Sequence, residues 1–157
     1  MSEWLHSRAA LGTTVWLQGP AGNCFYVPGK LDEPLILAGT GTGLAPLYGI
    51  VRDCLRQSHA GPIWLFHGAL TREGLYLTEQ LAELDRAHEN FHYVPSVLPE
   101  SGPLDKDILT RFGKLVGWKG YVCGDPALVN LLRKKLFLAG MALQSIYADA
   151  FLPSAPA

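Results

Sequence analysis

From Pro34 onward the chain alternates short apolar runs with stretches whose apolar residues recur at helical spacing. Leu35-Ile36-Leu37-Ala38 is an unbroken apolar run of strand length. Leu47, Ile50, Val51, Cys54 and Leu55 then repeat at helical intervals and predict a helix over residues 45–57, stopped by Ser58-His59-Ala60-Gly61-Pro62. Ile63-Trp64-Leu65-Phe66-His67-Gly68 predicts a second strand. Leu77, Leu81, Leu84 and His88 mark one face of a helix over about residues 75–89. Phe91-His92-Tyr93-Val94-Pro95-Ser96-Val97 predicts a third strand, weakened inside by its proline. A short helix over residues 105–112, a strand at Gly120-Tyr121-Val122-Cys123 and a helix opening at Pro126 follow. That last helix carries Leu128, Leu132 and Leu136 and is capped by Gly140, before a final strand at Gln144-Ser145-Ile146-Tyr147-Ala148. Strands and helices in strict alternation predict an α/β fold, a parallel five-stranded sheet with helices on both faces.

Residues 1–33 follow another pattern. Trp4-Leu5-His6 is a short amphipathic patch. Gly12-Thr13-Thr14-Val15-Trp16-Leu17-Gln18 and Cys24-Phe25-Tyr26-Val27 predict two strands, separated by the turn signal Gly19-Pro20-Ala21-Gly22. Two strands and a turn are marginal alone, so this segment is expected to lean on the domain that follows or on something outside the chain.

The chemistry concentrates where the first strand ends. Gly39-Thr40-Gly41-Thr42-Gly43 joins that strand to a helix, a phosphate-binding arrangement: glycines admit close backbone approach, and the helix N-terminus offers free N–H groups. Pro46 fits the first helical turn. Leu44-Ala45 follow the last glycine where a Walker loop would carry lysine and Ser or Thr, which excludes that class. The spacing G-x-G-x-G also departs from the dinucleotide fingerprint G-x-G-x-x-G, and Phe66-His67-Gly68-Ala69 lacks the acid that would end the second strand. Ligand is expected beyond the carboxyl ends of the strands, where the Gly39 loop and Cys123-Gly124 both fall.

Composition adds bounds. A chain of 157 residues, 48% hydrophobic and 17% charged, suits one domain with a full core. A formal net charge of -1 gives no reason to expect nucleic acid or an anionic membrane as partner. Cys24, Cys54 and Cys123 are odd in number and widely spaced, which argues against a disulfide framework or a zinc site and for a cytoplasmic setting. The five histidines form no metal constellation, and no G-x-S-x-G is present.

Three motifs in order carry a family resemblance. Ala38-Gly39-Thr40-Gly41-Thr42-Gly43-Leu44-Ala45-Pro46 resembles the nicotinamide-nucleotide loop of the ferredoxin–NADP reductase superfamily, and Tyr121-Val122-Cys123-Gly124-Asp125-Pro126 is similar to its second signature. Gly19-Pro20-Ala21-Gly22 resembles the G-P-x-G turn ending its flavin domain. The likeness is strongest to bacterial NADH-dependent reductase components, and it covers nearly the whole chain. It implies a C-terminal remnant of an FAD-binding barrel at residues 1–33 and an NAD(P)-binding domain at residues 34–157. The chain would begin inside the barrel, with Ser2 matching the small residue that contacts the FAD pyrophosphate, and most of the FAD site would lie outside it. The implied activity is hydride transfer from NADH to FAD, with electrons passing onward to an iron–sulfur protein or oxygenase component.

The same resemblance implies roles. Gly39, Thr40, Gly41, Thr42, Gly43 and Pro46 would hold the pyrophosphate and nicotinamide ribose. Cys123 would lie near the nicotinamide ring as the catalytic-site thiol, with Gly124, Asp125 and Pro126 beside it. Asp125 is also placed to cap the helix it precedes. Phe151 resembles the C-terminal aromatic that approaches the flavin. NADPH users in the superfamily carry cations after the third strand, whereas here Glu100 follows Ser96-Val97-Leu98-Pro99, and Arg72 has Glu73 beside it. NADH is therefore expected over NADPH. Two other readings stay open: a nucleotide-binding fragment with no flavin and no independent activity, and the same domain within a flavohaemoprotein or sulfite-reductase-like assembly.

Overall fold

The computed structural model describes residues 2–19 and 24–151, with no side-chain description for Ser2. A short helix α1 (Ser2–Ser7) precedes the α/β body. That body runs β1 (Leu35–Thr40), α2 (Leu44–Arg56), β2 (Ile63–Ala69), α3 (Thr78–Ala87), β3 (Phe91–Val97), α4 (Leu98–Ser101), α5 (Leu104–Phe112), β4 (Lys119–Gly124), α6 (Pro126–Leu138) and β5 (Ile146–Ala150). The five strands form one parallel sheet in the order β3-β2-β1-β4-β5. Each predicted strand and helix of residues 34–150 is present, with boundaries moved by a few residues.

The sequence explains why β1 is central. Leu35, Ile36, Leu37 and Ala38 are fully buried, because both faces and both edges of this strand are covered. Leu35 and Leu37 face a core shared with Leu47, Val51 and Cys54 of α2 and Leu81 of α3. Ile36 and Ala38 face the opposite core, built with Ile108 of α5 and Val129, Leu132 and Leu136 of α6. Helices therefore cover both faces, as the alternation predicted.

Two shifts have plain causes. The helix expected over about residues 75–89 is shorter, because Leu77 takes a left-handed conformation (φ 56°) and only then does α3 begin. At its far end, Asn90 leaves the helix and its amide donates to the carbonyls of His59 and Gly61 (2.8 and 3.0 Å). Pro95 lies in β3, which is an edge strand with β2 as its sole neighbour, so the missing N–H breaks no ladder.

The β remnant expected at the start is not seen among the described residues. Residues 12–18 and 24–27 form no strand, since no neighbouring strand takes their backbone groups, and Trp16 and Leu17 stand 95% and 92% exposed. Pro20, Ala21 and Gly22 of the predicted turn lie outside the described residues, as does the tail after Phe151.

Residues 24–34 are instead strapped along the α2 side of the sheet, from Cys24 beside Cys123 to Glu33 beside Lys119 at the amino-terminal end of β4. The Val27 N–H donates to the Tyr121 hydroxyl (3.1 Å), and Lys119 Nζ donates to the Val27 carbonyl (2.8 Å) and pairs with Glu33. The N–H groups of Ala60 and Gly61 donate to the Leu31 carbonyl. His59 links both ends of the strap. Its Nε2–H donates to the Glu33 carbonyl (3.0 Å), so its Nδ1 accepts from the Tyr26 hydroxyl (3.1 Å). That tautomer is neutral, and burial holds its pKa below the usual histidine value.

Candidate functional site

The chain moves outward from β1 through β2 to β3, then crosses back to place β4 on the other side of β1. The topological switch point therefore lies between β1 and β4, where loops depart in opposite directions and open a crevice. Thr40 and Gly124 end those two strands, and both line a cavity of about 730 Å³.

The three loop glycines are required for different reasons. A Cβ on Gly39 would sit 2.7 Å from the Cys123 carbonyl oxygen and 2.8 Å from Leu47 Cδ1. One on Gly43 would overlap the Cys123 carbonyl and lie 2.8 Å from Gly124 Cα. Gly39 and Gly43 thus let the first loop nest against the second. Gly41 differs: its φ is +54° and nothing lies within 4 Å of a Cβ there, so it serves the turn and leaves the loop open. Residues Gly41–Gly43 form a 3-10 turn that runs into α2, with Pro46 in the first helical turn as expected.

Across the crevice, Asp125 Oδ1 accepts from the N–H groups of Ala127 (2.9 Å) and Leu128 (3.2 Å), and Pro126 follows it as the first residue of α6. Asp125 caps α6, the plainer of its two expected roles. Gly124 has φ +127° and a Cβ there would lie 2.8 Å from the Thr40 carbonyl, so only glycine passes. Phe151 lines the same cavity, and its N–H donates to the Gly124 carbonyl (2.9 Å).

The structure brings Thr40, Gly41, Thr42, Gly124, Asp125 and Phe151 to one cavity. Gly39, Gly43 and Pro126 stand behind its lining, and Pro46 and Cys123 face elsewhere. Pro46 lines a separate groove of about 680 Å³ between α2 and residues 24–26. Cys123 is fully buried on the α2 side of the sheet, its Sγ 3.4 Å from Cys24 Sγ, and it does not line the cavity. The Ser2 side chain lies outside the description.

Sequence reasoning gave no site role to Ser96, Asp105 or Tyr76, and it did not foresee that Arg72 pairs with Glu100. Ser96 and Asp105 are buried and line the cavity, but neither belongs to a motif. Tyr76 donates its hydroxyl to the Gly41 carbonyl (3.0 Å) and fixes the loop from outside. Arg72, on the turn after β2, pairs with Glu100 of α4, which joins the loops that follow β2 and β3. No Lys, Arg or His lines the cavity among the described residues. The N-termini of α5 and α6 border it, and the Gly41 turn that lines it leads into the N-terminus of α2.

A cavity walled by helix N-termini at a switch point is the setting for an anionic dinucleotide, and comparison with known proteins agrees. Residues 37–134 match the model of the oxidoreductase NAD-binding domain family. The chain belongs to that family. The chain is 34% identical over 164 residues to the ferredoxin–NAD(P)(+) reductase component of a naphthalene 1,2-dioxygenase system from Pseudomonas putida, covering 98% of the chain and 48% of that protein. It is 31% identical to the reductase subunit of an aromatic O-demethylase from Amycolatopsis, covering 96% of the chain and 48% of the relative. The crystal structure of the Amycolatopsis cytochrome P450 reductase GcoB superposes with a TM-score of 0.88 at 30% identity, over 98% of this chain and 49% of that one. The chain thus spans about half the length of these relatives. No helix among the described residues is long and apolar enough to cross a membrane.

Proposed function

We propose that this chain is the NADH-binding half of an FAD-dependent reductase that serves an iron–sulfur or oxygenase partner. NADH, when bound, supplies a hydride that passes to FAD carried on a flavin-binding domain. The observation that carries the reading is the cavity at the β1–β4 switch point, bordered by the N-termini of α5 and α6 and by the open Gly41 turn that leads into α2. Its glycines fit a pyrophosphate. A side chain at Gly41 would project into space the loop leaves clear, and the N-terminus of α2 directly follows this turn.

Thr40 and Thr42 supply hydroxyls at the loop, and Asp125, by capping α6, holds the second loop in place while keeping its own Oδ2 available. Residues 1–33 are read as the end of the flavin-binding barrel, with residues 34–157 as the NAD-binding domain. The strap of residues 24–34 supports that division, since it ties the two segments through Lys119, Glu33 and His59. The cytoplasm is the compartment in which NADH and three free thiols fit together.

Titration of the chain with NADH, followed by nicotinamide fluorescence, tests the reading. Saturable binding that is lost in Gly41→Val, while that variant keeps its fold by circular dichroism, is the expected result. Equal binding by both proteins would refute it. Flavin absorbance of the purified chain then separates a domain that retains FAD from a fragment that binds nucleotide alone.

A further inference from the structure

Cys24 and Cys123 lie 99 residues apart in the chain, yet their sulfurs are 3.4 Å apart. Both thiols are free. Cys123 is fully buried in β4, whereas Cys24 is partly exposed, three residues ahead of the point where Val27 is tied to Tyr121. A disulfide needs its sulfurs about 2 Å apart. The two sulfurs must therefore close by about 1.4 Å for the bond to form.

We propose that Cys24 and Cys123 are a reversible dithiol–disulfide couple, oxidised by peroxide, that staples the N-terminal strap to β4 beside the glycine loop. This goes beyond nucleotide binding and does not depend on it.

The partly exposed thiol reacts first. The contact between the two sulfurs lowers the Cys24 pKa and, together with burial, raises that of Cys123, so Cys24 is the readier of the two to ionise. The Cys24 thiolate attacks hydrogen peroxide, the O–O bond breaks, and hydroxide leaves and is protonated to water. Cys24 is now a sulfenic acid. The Cys123 sulfur attacks the Cys24 sulfur, the S–S bond forms, and the S–O bond breaks. The departing hydroxide takes the Cys123 proton and leaves as the second water. Two thiols have lost two electrons and peroxide has gained them.

Cys54 is the internal control. It is fully buried, its pKa is pushed up to about 12 by burial and by Asp53, and the described thiol pair does not include it.

The test exposes the fully reduced chain to hydrogen peroxide, alkylates remaining thiols, and maps them by mass spectrometry of the proteolysed protein. The expected product is a monomer lighter by two hydrogen atoms, with the Cys24 and Cys123 peptides joined and Cys54 alkylated. Dithiothreitol should restore all three thiols. In Cys24→Ser, which alters only a partly exposed position, loss of the Cys123 thiol should slow by roughly tenfold or more. Over-oxidised Cys24 beside an alkylatable Cys123, or disulfide-linked dimers as the main product, would overturn the proposal. So would a Cys24→Ser variant whose Cys123 reacts as fast as before.

Discussion

The Arg72 guanidinium grips the Glu100 carboxylate with two parallel bonds, Nε to Oε1 at 2.8 Å and Nη2 to Oε2 at 2.6 Å. Both side chains are substantially exposed, so the pair adds little to stability. Its consequence is for charge. Arg72 stands on the turn after β2, next to the cavity-lining Thr71, and Glu100 neutralises it.

Coenzyme choice should follow from that pairing. The wild-type domain should bind NADH more tightly than NADPH, because Asp105 and Asp125 line the cavity and the arginine on the turn beside it is already neutralised. Glu100→Gln releases Arg72 and should narrow the preference by roughly tenfold, about 1.4 kcal/mol. Fluorescence titration with each nucleotide measures the ratio. A variant whose ratio equals that of the wild type removes Glu100 from coenzyme selection.

The glycines of the loop should separate in a stability experiment. Gly43→Ala drives a methyl into the Cys123 carbonyl and should cost about 3 kcal/mol, since backbone on both sides must move. Gly41→Ala meets open space, so only its left-handed backbone is penalised, at about 1 kcal/mol. Urea unfolding midpoints of the two variants should therefore differ in that order. The reverse order would contradict the packing of the two loops.

The strap rests on an ion pair that is nearly out of water. The side chains of Lys119 and Glu33 are 8% and 18% exposed, and Lys119 also holds the Val27 carbonyl. Lys119→Met strands Glu33 and should destabilise the chain by about 3 kcal/mol. Adding Glu33→Gln to that variant should recover part of the loss, because no unpaired charge is then buried. Chemical denaturation of the single and double variants checks both statements.

How much of this was legible in the sequence depends on how far apart the partners lie. The five strands and the helices between them follow from local apolar periodicity, and Phe91–Val97 matches the expected boundaries because Asn90 and the turn into α4 punctuate it. β1 runs further than its apolar letters, since Gly39 and Thr40 continue the ladder opposite His67 and Gly68. Val15 and Trp16 have strand propensity without a strand, because pairing needs a neighbour that composition cannot supply. Glycine spacing located the cavity. It could not show that Cys123 turns away toward Cys24, or that Arg72 and Glu100 meet across 28 residues. Those are tertiary facts, and no period in the chain encodes them.

His67 gives the chain a pH dependence with a definite sign. It is fully buried in β2, its Nδ1 lies 3.1 Å from the Tyr93 hydroxyl, the Tyr76 ring packs edge-on against it, and its Nε2 has no partner among the described residues. Burial lowers its pKa from 6.5 to about 4. In the unfolded chain the same imidazole titrates near 6.5, so between those values the unfolded state holds more protons than the folded one. Stability is then complete above the unfolded value and is lost as pH falls toward the folded one. The loss should amount to about 2 kcal/mol between pH 7 and pH 5, and His59, also lowered by burial, adds to it in the same direction. His67→Gln has no proton to take up in that window. Its unfolding free energy should therefore fall less steeply with acid than that of the wild type, whatever its value at pH 7. Parallel curves for the two proteins between pH 7 and pH 5 would show that His67 carries its proton in the folded state.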